Sequence, residues 1–363
     1  MKEVTEQDNR NRMKAFFKIR EEGIKMKHWK WVSLLLCLSV VGFSFRVLPA
    51  YGQIKLNYSN FFPPTHFNAI LGDSWAKEIE KRTNGRVTFS QFPGGALLKG
   101  PEMYDGVMKG VSDVGMSLFA YTAGRFPIME SLDLPMGYPS GKVATFVAND
   151  FYNRFKPKEV GGVKLFYLHA HGPGLLHSKK EVKKLEDVRG LKIRATGFSA
   201  KVASALGGAP VAMGQGGAYE ALQKGVVDAT LSPMEVLKGW KQAEVIKFTI
   251  DCYGVGYTTA MYVIMNLSKW NALPKDIQEV FEKVSAEWIP KHAEGWDKAD
   301  REGREYSLSL GNKVIPLSAK EHERWIKAVR PVLDEYAKSL EGKGLPGNEY
   351  VKVIRELIKK HSK

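Results

Sequence analysis

The chain has 363 residues, of which 44% are hydrophobic and 26% charged, with a formal net charge of +15 and two cysteines, Cys37 and Cys252. That length holds two domains of ordinary size, and that balance excludes a disordered or collagen-like chain. Two distant cysteines exclude a disulfide-stapled scaffold and a cysteine zinc site.

Near the N-terminus Lys25, Lys27 and Lys30 precede the apolar run 31–45, and Ala50-Tyr51-Gly52 follows it. A basic stretch, an apolar stretch and a small-x-small site predict a signal peptide over 1–52, cleaved before Gln53, and a periplasmic mature protein. The run is short for a membrane span and is soon followed by Arg46; an uncleaved anchor is the alternative. Leu36 before Cys37 argues against lipid attachment, and Met13 or Met26 are alternative starts. The leader carries ten Lys and Arg against five Asp and Glu, so the mature chain keeps +10. Its lysines are scattered and no nucleic-acid motif is present, which suits solubility and attraction of small anions. Cys252, alone after cleavage, reads as a small buried apolar group.

Alternation predicts a strand over 54–58, then a helix capped by Thr65 and running to about residue 83, with Phe67, Ile70, Leu71, Trp75 and Ile79 on one face. Strands over 87–91 and 113–118 flank a short helix over 101–109. This is the α/β pattern of a parallel sheet. A buried-type strand over 163–169 leads through a His169-Ala170-His171-Gly172-Pro173-Gly174 turn into a second half. That half has a strand over 191–195, a helix over 199–206, a strand over 211–213, a helix over 218–224 and a strand over 228–231. A helix follows Ser232-Pro233 to about residue 243. The apolar run 257–266 returns to the first half. Pro274 opens a helix to about residue 310, expected to kink at Pro290 and Gly295 and long enough to span both halves; helix resumes after Pro316.

Tyr104-Asp105-x-Val107-x-Lys109-Gly110-Val111-x-Asp113 recurs as Tyr219-Glu220-x-Leu222-x-Lys224-Gly225-Val226-x-Asp228. Each copy reads as a helix closed by a glycine and feeding a strand, which implies two similar lobes. The expected division is 53–172 with about 258–295 in lobe I, 173–257 with about 296–345 in lobe II, and 346–363 as a tail.

Arg194 ends a strand whose apolar Leu191 and Ile193 face the core, which puts its guanidinium on the other face, beside a helix start. Its planar fork of donors suits a carboxylate, and ligands of α/β sheets collect at that end; a structural salt bridge is the alternative. His169, His171 and His177 form a histidine cluster for which a metal, a cleft hydrogen bond from His171 or His177, and a structural role all stay open. Phe119, Tyr121, Tyr138, Phe198 and Tyr257 fall at strand ends or in the loops after them, where aromatic cleft walls occur. Asn266 either caps the next helix or enters the cleft, and Glu235 either orients Arg194 or faces solvent. Gly94-Gly95 lacks a phosphate-loop ending, and neither a Gly-x-Ser-x-Gly elbow nor a His-Glu-x-x-His pair occurs, so a binding protein rather than an enzyme is expected.

Four stretches resemble the secreted solute receptors of tripartite ATP-independent periplasmic (TRAP) transporters. They are Leu185-Glu186-Asp187-Val188-Arg189-Gly190-Leu191-Lys192-Ile193-Arg194, the run from Leu206 to Met213, Tyr219 to Asp228, and Met265-Asn266-Leu267-Ser268-Lys269-Trp270-Asn271-Ala272-Leu273-Pro274. The likeness runs from about residue 54 to 340. It implies a two-lobed α/β periplasmic fold with a long hinge helix, Arg194 as the salt bridge to a ligand carboxylate, and Asn266 in the cleft. It also implies the transporter's membrane subunits as partners; from the residues themselves a monomer without cofactor, metal or nucleic acid is expected. Two departures matter. Gly172-Pro173-Gly174-Leu175-Leu176-His177 stands where many relatives place a further polar or basic residue, and Ser232 stands before Pro233 where Asn is frequent. The expected ligand contacts are Arg194, Asn266, Ser232, His171, His177, Phe198, Tyr121, Tyr257 and Glu235. The departures fit a small hydroxy or keto monocarboxylate, or a sulfonate, as well as a C4-dicarboxylate. A receptor of an ATP-driven importer is the second reading, and a secreted enzyme with a His169–His177 metal the third.

Overall fold

The computed structural model describes residues 7, 10–15 and 52–363. Nearly all of the expected leader, including its apolar run and Cys37, lies outside the described residues. Residues 1–52 form one unit, in which 10–15 are helical and exposed; Gln53–Lys363 form the other, and all that follows concerns it.

The first sheet is built from β1 (Ile54–Asn60), β2 (Val87–Phe92), β3 (Val114–Leu118) and β4 (Val163–Ala170). Helices α1 (Phe67–Arg82), α2 (Met103–Met108) and α3 (Gly141–Phe155) connect them. The second contains β5 (Leu175–Ser178), β6 (Lys192–Ala195), β7 (Ala209–Ala212), β8 (Ala229–Ser232) and β9 (Phe248–Asp251), with α4 (Phe198–Ala205), α5 (Ala218–Gln223) and α6 (Val236–Gly239). β10 (Ala260–Asn266) returns to the first sheet. It is followed by α7 (Leu267–Ala272), α8 (Lys275–Ser309), β11 (Lys313–Pro316), α9 (Ala319–Glu341) and α10 (Gly347–His361).

Strand order is β2-β1-β3-β10-β4 in one sheet and β11-β9-β5-β8-β6-β7 in the other. Omitting the edge strand β11, the two orders match: a parallel trio, then one antiparallel strand, then a fifth. The antiparallel member is supplied across the divide, β5 directly after β4 and β10 directly after β9. The two crossings run side by side, where Gly174 N–H donates to Tyr257 O at 2.8 Å and Thr258 Oγ1 donates to His171 O at 2.6 Å.

The internal echo is a structural repeat. Gly110 and Gly225 close their helices at φ 77° and 73°, where a Cβ is unfavourable. Asp113 then takes the backbone N–H of Asn57 at 2.8 Å, and Asp228 takes that of Lys192 at 3.0 Å. Each carboxylate thereby pins a crossover to its parallel neighbour strand.

β10 shows why the strands are apolar throughout. Met261, Val263 and Met265 pack with Trp75 and Phe281 on one face, and Tyr262 and Ile264 with Phe126 and Phe151 on the other. α8 is one helix of 35 residues that includes Pro290 and Gly295. It packs on α1, α3 and β4 of the first sheet and on α6 and β11 of the second. α9 is likewise shared, with Trp325 and Val329 in the second core and Leu333, Tyr336 and Leu340 in the first. α10, expected as a tail, packs on α3 and α9. The N-cap of α1 is His66 rather than Thr65, its Nδ1 accepting from Asn68 N at 3.1 Å. No helix among the described residues is long and apolar enough to cross a membrane.

Candidate functional site

The ends of the two sheets face each other across a cavity offering about 60 Å³ to the centres of water molecules, room for about four waters or one small organic molecule. Arg194 lies on β6, and only 5% of its surface is exposed. Its Nη2 donates to Thr196 Oγ1 at 2.8 Å, its Nε to Met213 O at 3.2 Å and its Nη1 to Ser232 Oγ at 3.4 Å. All three acceptors are neutral, and no carboxylate among the described residues pairs with the guanidinium. Burial works against its charge, and the phenols of Tyr121 and Tyr257 favour it. An arginine stays protonated in a protein, so a buried cation without a counterion lines the cavity.

Two hydrogen bonds cross the cleft. His66 Nδ1 is occupied as the helix cap, so its Nε2 carries the proton and donates to Glu235 Oε1 at 2.5 Å, with both groups buried. Gln215 N–H donates to Tyr121 OH at 3.1 Å. Aromatic rings close the sides: Phe61 of the first lobe stacks on Trp240 of the second at 6.1 Å, and Phe61 meets Tyr121 edge-on at 5.5 Å. Burial raises the Tyr121 phenol, against the opposing pull of Arg194, and raises that of Tyr257 as well. These walls are apolar with a few placed polar atoms, as in small-ligand sites.

Of the residues expected from sequence, Arg194, Ser232, His171, Tyr121, Tyr257 and Glu235 line this cavity. Glu235 does not contact Arg194; it bonds His66, and its backbone N–H donates to Asp300 Oδ1 at 2.8 Å. Three others lie elsewhere. Asn266 caps α7 through Lys269 N at 3.0 Å and donates to the Val107 and Met108 carbonyls, so its amide is spent on backbone far from Arg194. His177 sits inside the second sheet between Thr249 Oγ1 at 2.8 Å and the Ser232 carbonyl at 3.1 Å, its pKa pushed down to about 4 by burial. Phe198 lies outside the lining of this cavity and packs on Tyr336 at 4.5 Å. The three histidines diverge: His169 stacks on His292 at 4.3 Å and accepts from Trp296 Nε1, while His171 follows β4 into the cavity.

Sequence reasoning missed Phe61, His66, Thr196, Ser199, Gln215, Trp240 and Trp296 as wall or clasp residues. Thr196 and Ser199 carried a signal, being polar at the turn just after the Arg194 strand. Trp240 and Trp296 carried none, because a tryptophan on a helix reads as core.

The fold and cleft define a two-lobed solute-binding protein. Residues 60–339 match the family model "Bacterial extracellular solute-binding protein, family 7". The chain belongs to this family, the solute receptors of TRAP transporters, which are extracytoplasmic binding proteins and not enzymes. It is 27% identical over 273 residues to a monocarboxylate 2-oxoacid-binding periplasmic protein of Nostoc sp., covering 73% of this chain and 74% of that protein. Among solved structures it is similar to a TRAP solute-binding protein of Rhodoferax ferrireducens in complex with copurified benzoate (26% identity, TM-score 0.81, covering 85% and 99% of the two chains). It is also similar to one of Bordetella bronchiseptica with bound (R)- and (S)-mandelate (29% identity, TM-score 0.78, covering 85% and 99%).

Proposed function

We propose that this receptor binds a small monocarboxylate whose carboxylate pairs with Arg194, and that cleft closure around it presents the protein to the transporter's membrane subunits. The observation that carries this reading is the buried guanidinium with three neutral acceptors and no acid partner, lining a cavity. A carboxylate supplies the missing charge and takes two parallel N–H donors. The cavity holds one cation beside a glutamate already bonded to His66, which favours one carboxylate over two. The Phe61, Trp240, Tyr121 and Trp296 rings suit a flat or apolar remainder, in keeping with benzoate and mandelate in the similar structures. Closure brings His66 to Glu235 and Tyr121 to Gln215, so ligand binding and lobe contact reinforce each other.

The mature protein begins at Gln53 after removal of a signal peptide, works as a monomer in the periplasm, and carries no metal or cofactor in this role. Lobe I comprises 53–172 with about 258–295 and lobe II 173–257 with about 296–345, and the crossings at 171–174 and 252–259 serve as the hinge. The test is mass spectrometry of acids extracted from purified protein, paired with calorimetric titration of each acid found. A monocarboxylate bound by wild type and lost in Arg194→Met supports the reading. Retained affinity, or a ligand without an acidic group, overturns it.

A further inference from the structure

His171 holds a proton arrangement that constrains what sits beside the carboxylate. Its Nδ1 lies 2.5 Å from the Gly172 carbonyl oxygen, which can only accept, so Nδ1 carries the hydrogen. A neutral imidazole has one N–H, so Nε2 is a bare acceptor. Nε2 bonds to nothing in the protein and is not sealed from the cavity that the ring lines. The ring stays neutral because burial pushes its pKa down to about 4 and the nearby Arg194 charge pushes the same way.

The arrangement is rigid. Tyr257 meets the imidazole edge-on at 5.4 Å and Trp296 at 6.1 Å. Gly172 is held in turn: a side chain there would overlap the Asp300 carboxylate, so this residue must be glycine for the carbonyl to stand where it does. The three hydroxyls around the guanidinium are committed to backbone carbonyls, while those of Tyr121 and Thr259 also line the cavity. Thr196 donates to Met213 O, Ser199 to Thr196 O and Ser232 to Leu231 O. Arg194 therefore faces the cavity as a donor and His171 Nε2 as an acceptor within the same small space.

Building on the carboxylate reading above, we propose that His171 makes the receptor select a 2-hydroxy acid over the matching 2-oxo acid by accepting the ligand's hydroxyl hydrogen on Nε2. A 2-oxo oxygen would set its lone pairs against that of Nε2, and an unsubstituted acid would leave the acceptor dry. A 2-amino acid would bring an ammonium toward Arg194. The gain of one hydrogen bond, with loss of a buried unpaired acceptor, gives a preference of about tenfold or more.

The test is titration calorimetry of mandelate, phenylglyoxylate and phenylacetate, and of lactate, pyruvate and propionate, on wild type and on His171→Phe. Expected is a preference for the hydroxy acid of about tenfold or more in wild type, falling to near parity in the variant. The wild-type series stands by itself should the variant fold poorly. Equal or tighter binding of the oxo acids to wild type overturns the role of His171 and leaves the carboxylate reading intact. A preference that survives in His171→Phe overturns that role in the same way. Binding of none of the six acids, with only a ligand lacking an acidic group recovered from the purified protein, overturns both.

Discussion

Replacing Arg194 by Met separates the two faces of its role, because the ligand-free and ligand-bound proteins should respond differently. In the free protein the guanidinium is desolvated at a cost of several kcal/mol. Against that stand three hydrogen bonds to neutral acceptors, at 2.8, 3.2 and 3.4 Å, the shorter ones contributing about 1.5–3 kcal/mol each. These terms nearly cancel, and Met213 O keeps the Thr196 hydroxyl at 3.0 Å as a donor. The ligand-free variant should therefore unfold within a few degrees of wild type. In the complex the variant leaves a buried carboxylate without its partner, a loss of about 2–5 kcal/mol, or roughly thirty- to several-thousand-fold in affinity. Thermal unfolding with and without ligand reads both quantities: the baseline midpoint should barely move and the ligand-induced shift should vanish. A variant that loses ten degrees when free but keeps the ligand-induced shift would make Arg194 a structural cation and end its role as the carboxylate anchor.

Further perturbations test the clasp, the titration, the crossing and the repeat. His66→Ala removes a helix cap of about 1 kcal/mol and the bond to Glu235, so ligand affinity should fall by about tenfold with Arg194 intact; small-angle scattering of the loaded variant should show a more open particle, and an unchanged radius with unchanged affinity would remove the clasp. His171 titrates near 6.5 when unfolded and at about 4 when folded, so the unfolded chain binds the extra proton between those values. Wild type should therefore lose stability relative to His171→Phe as pH falls from about 6.5 to about 4, by up to about 1.4 kcal/mol per pH unit. Urea midpoints that run parallel over that range would contradict it. Gly172→Ala should destabilise by about 1–3 kcal/mol through overlap with Asp300, measured by urea unfolding. Asp113→Asn and Asp228→Asn should each cost about 1–2 kcal/mol, and clearly unequal costs would argue against the repeat as a shared structural device.

The lobes were legible because the Tyr-to-Asp echo encodes a complete helix–glycine–strand unit, and the structure gives both copies the same bonds. Arg194 was legible because a charged residue alternating with Leu191 and Ile193 has to leave the core face. Asn266 was misplaced because an amide after an apolar strand serves a helix cap as well as a cleft, and only the packing of the Val107 and Met108 carbonyls against it decides. α3 escaped notice, although Ser140 caps it and Val143, Ala144, Val147, Ala148 and Phe151 share one buried face. β9 and β11 are four residues each, too short for alternation to register, and β11 ends in a proline at a sheet edge. The clasp was invisible because His66 and Glu235 lie 169 positions apart.

Whether Arg194 holds the ligand is decided by a crystal structure of the mature protein with the acid it binds most tightly. The carboxylate should lie within hydrogen-bond distance of both terminal nitrogens of Arg194, with the lobes closed over it. A ligand seated elsewhere, or an Arg194 turned to a protein carboxylate in the loaded state, would contradict the anchor.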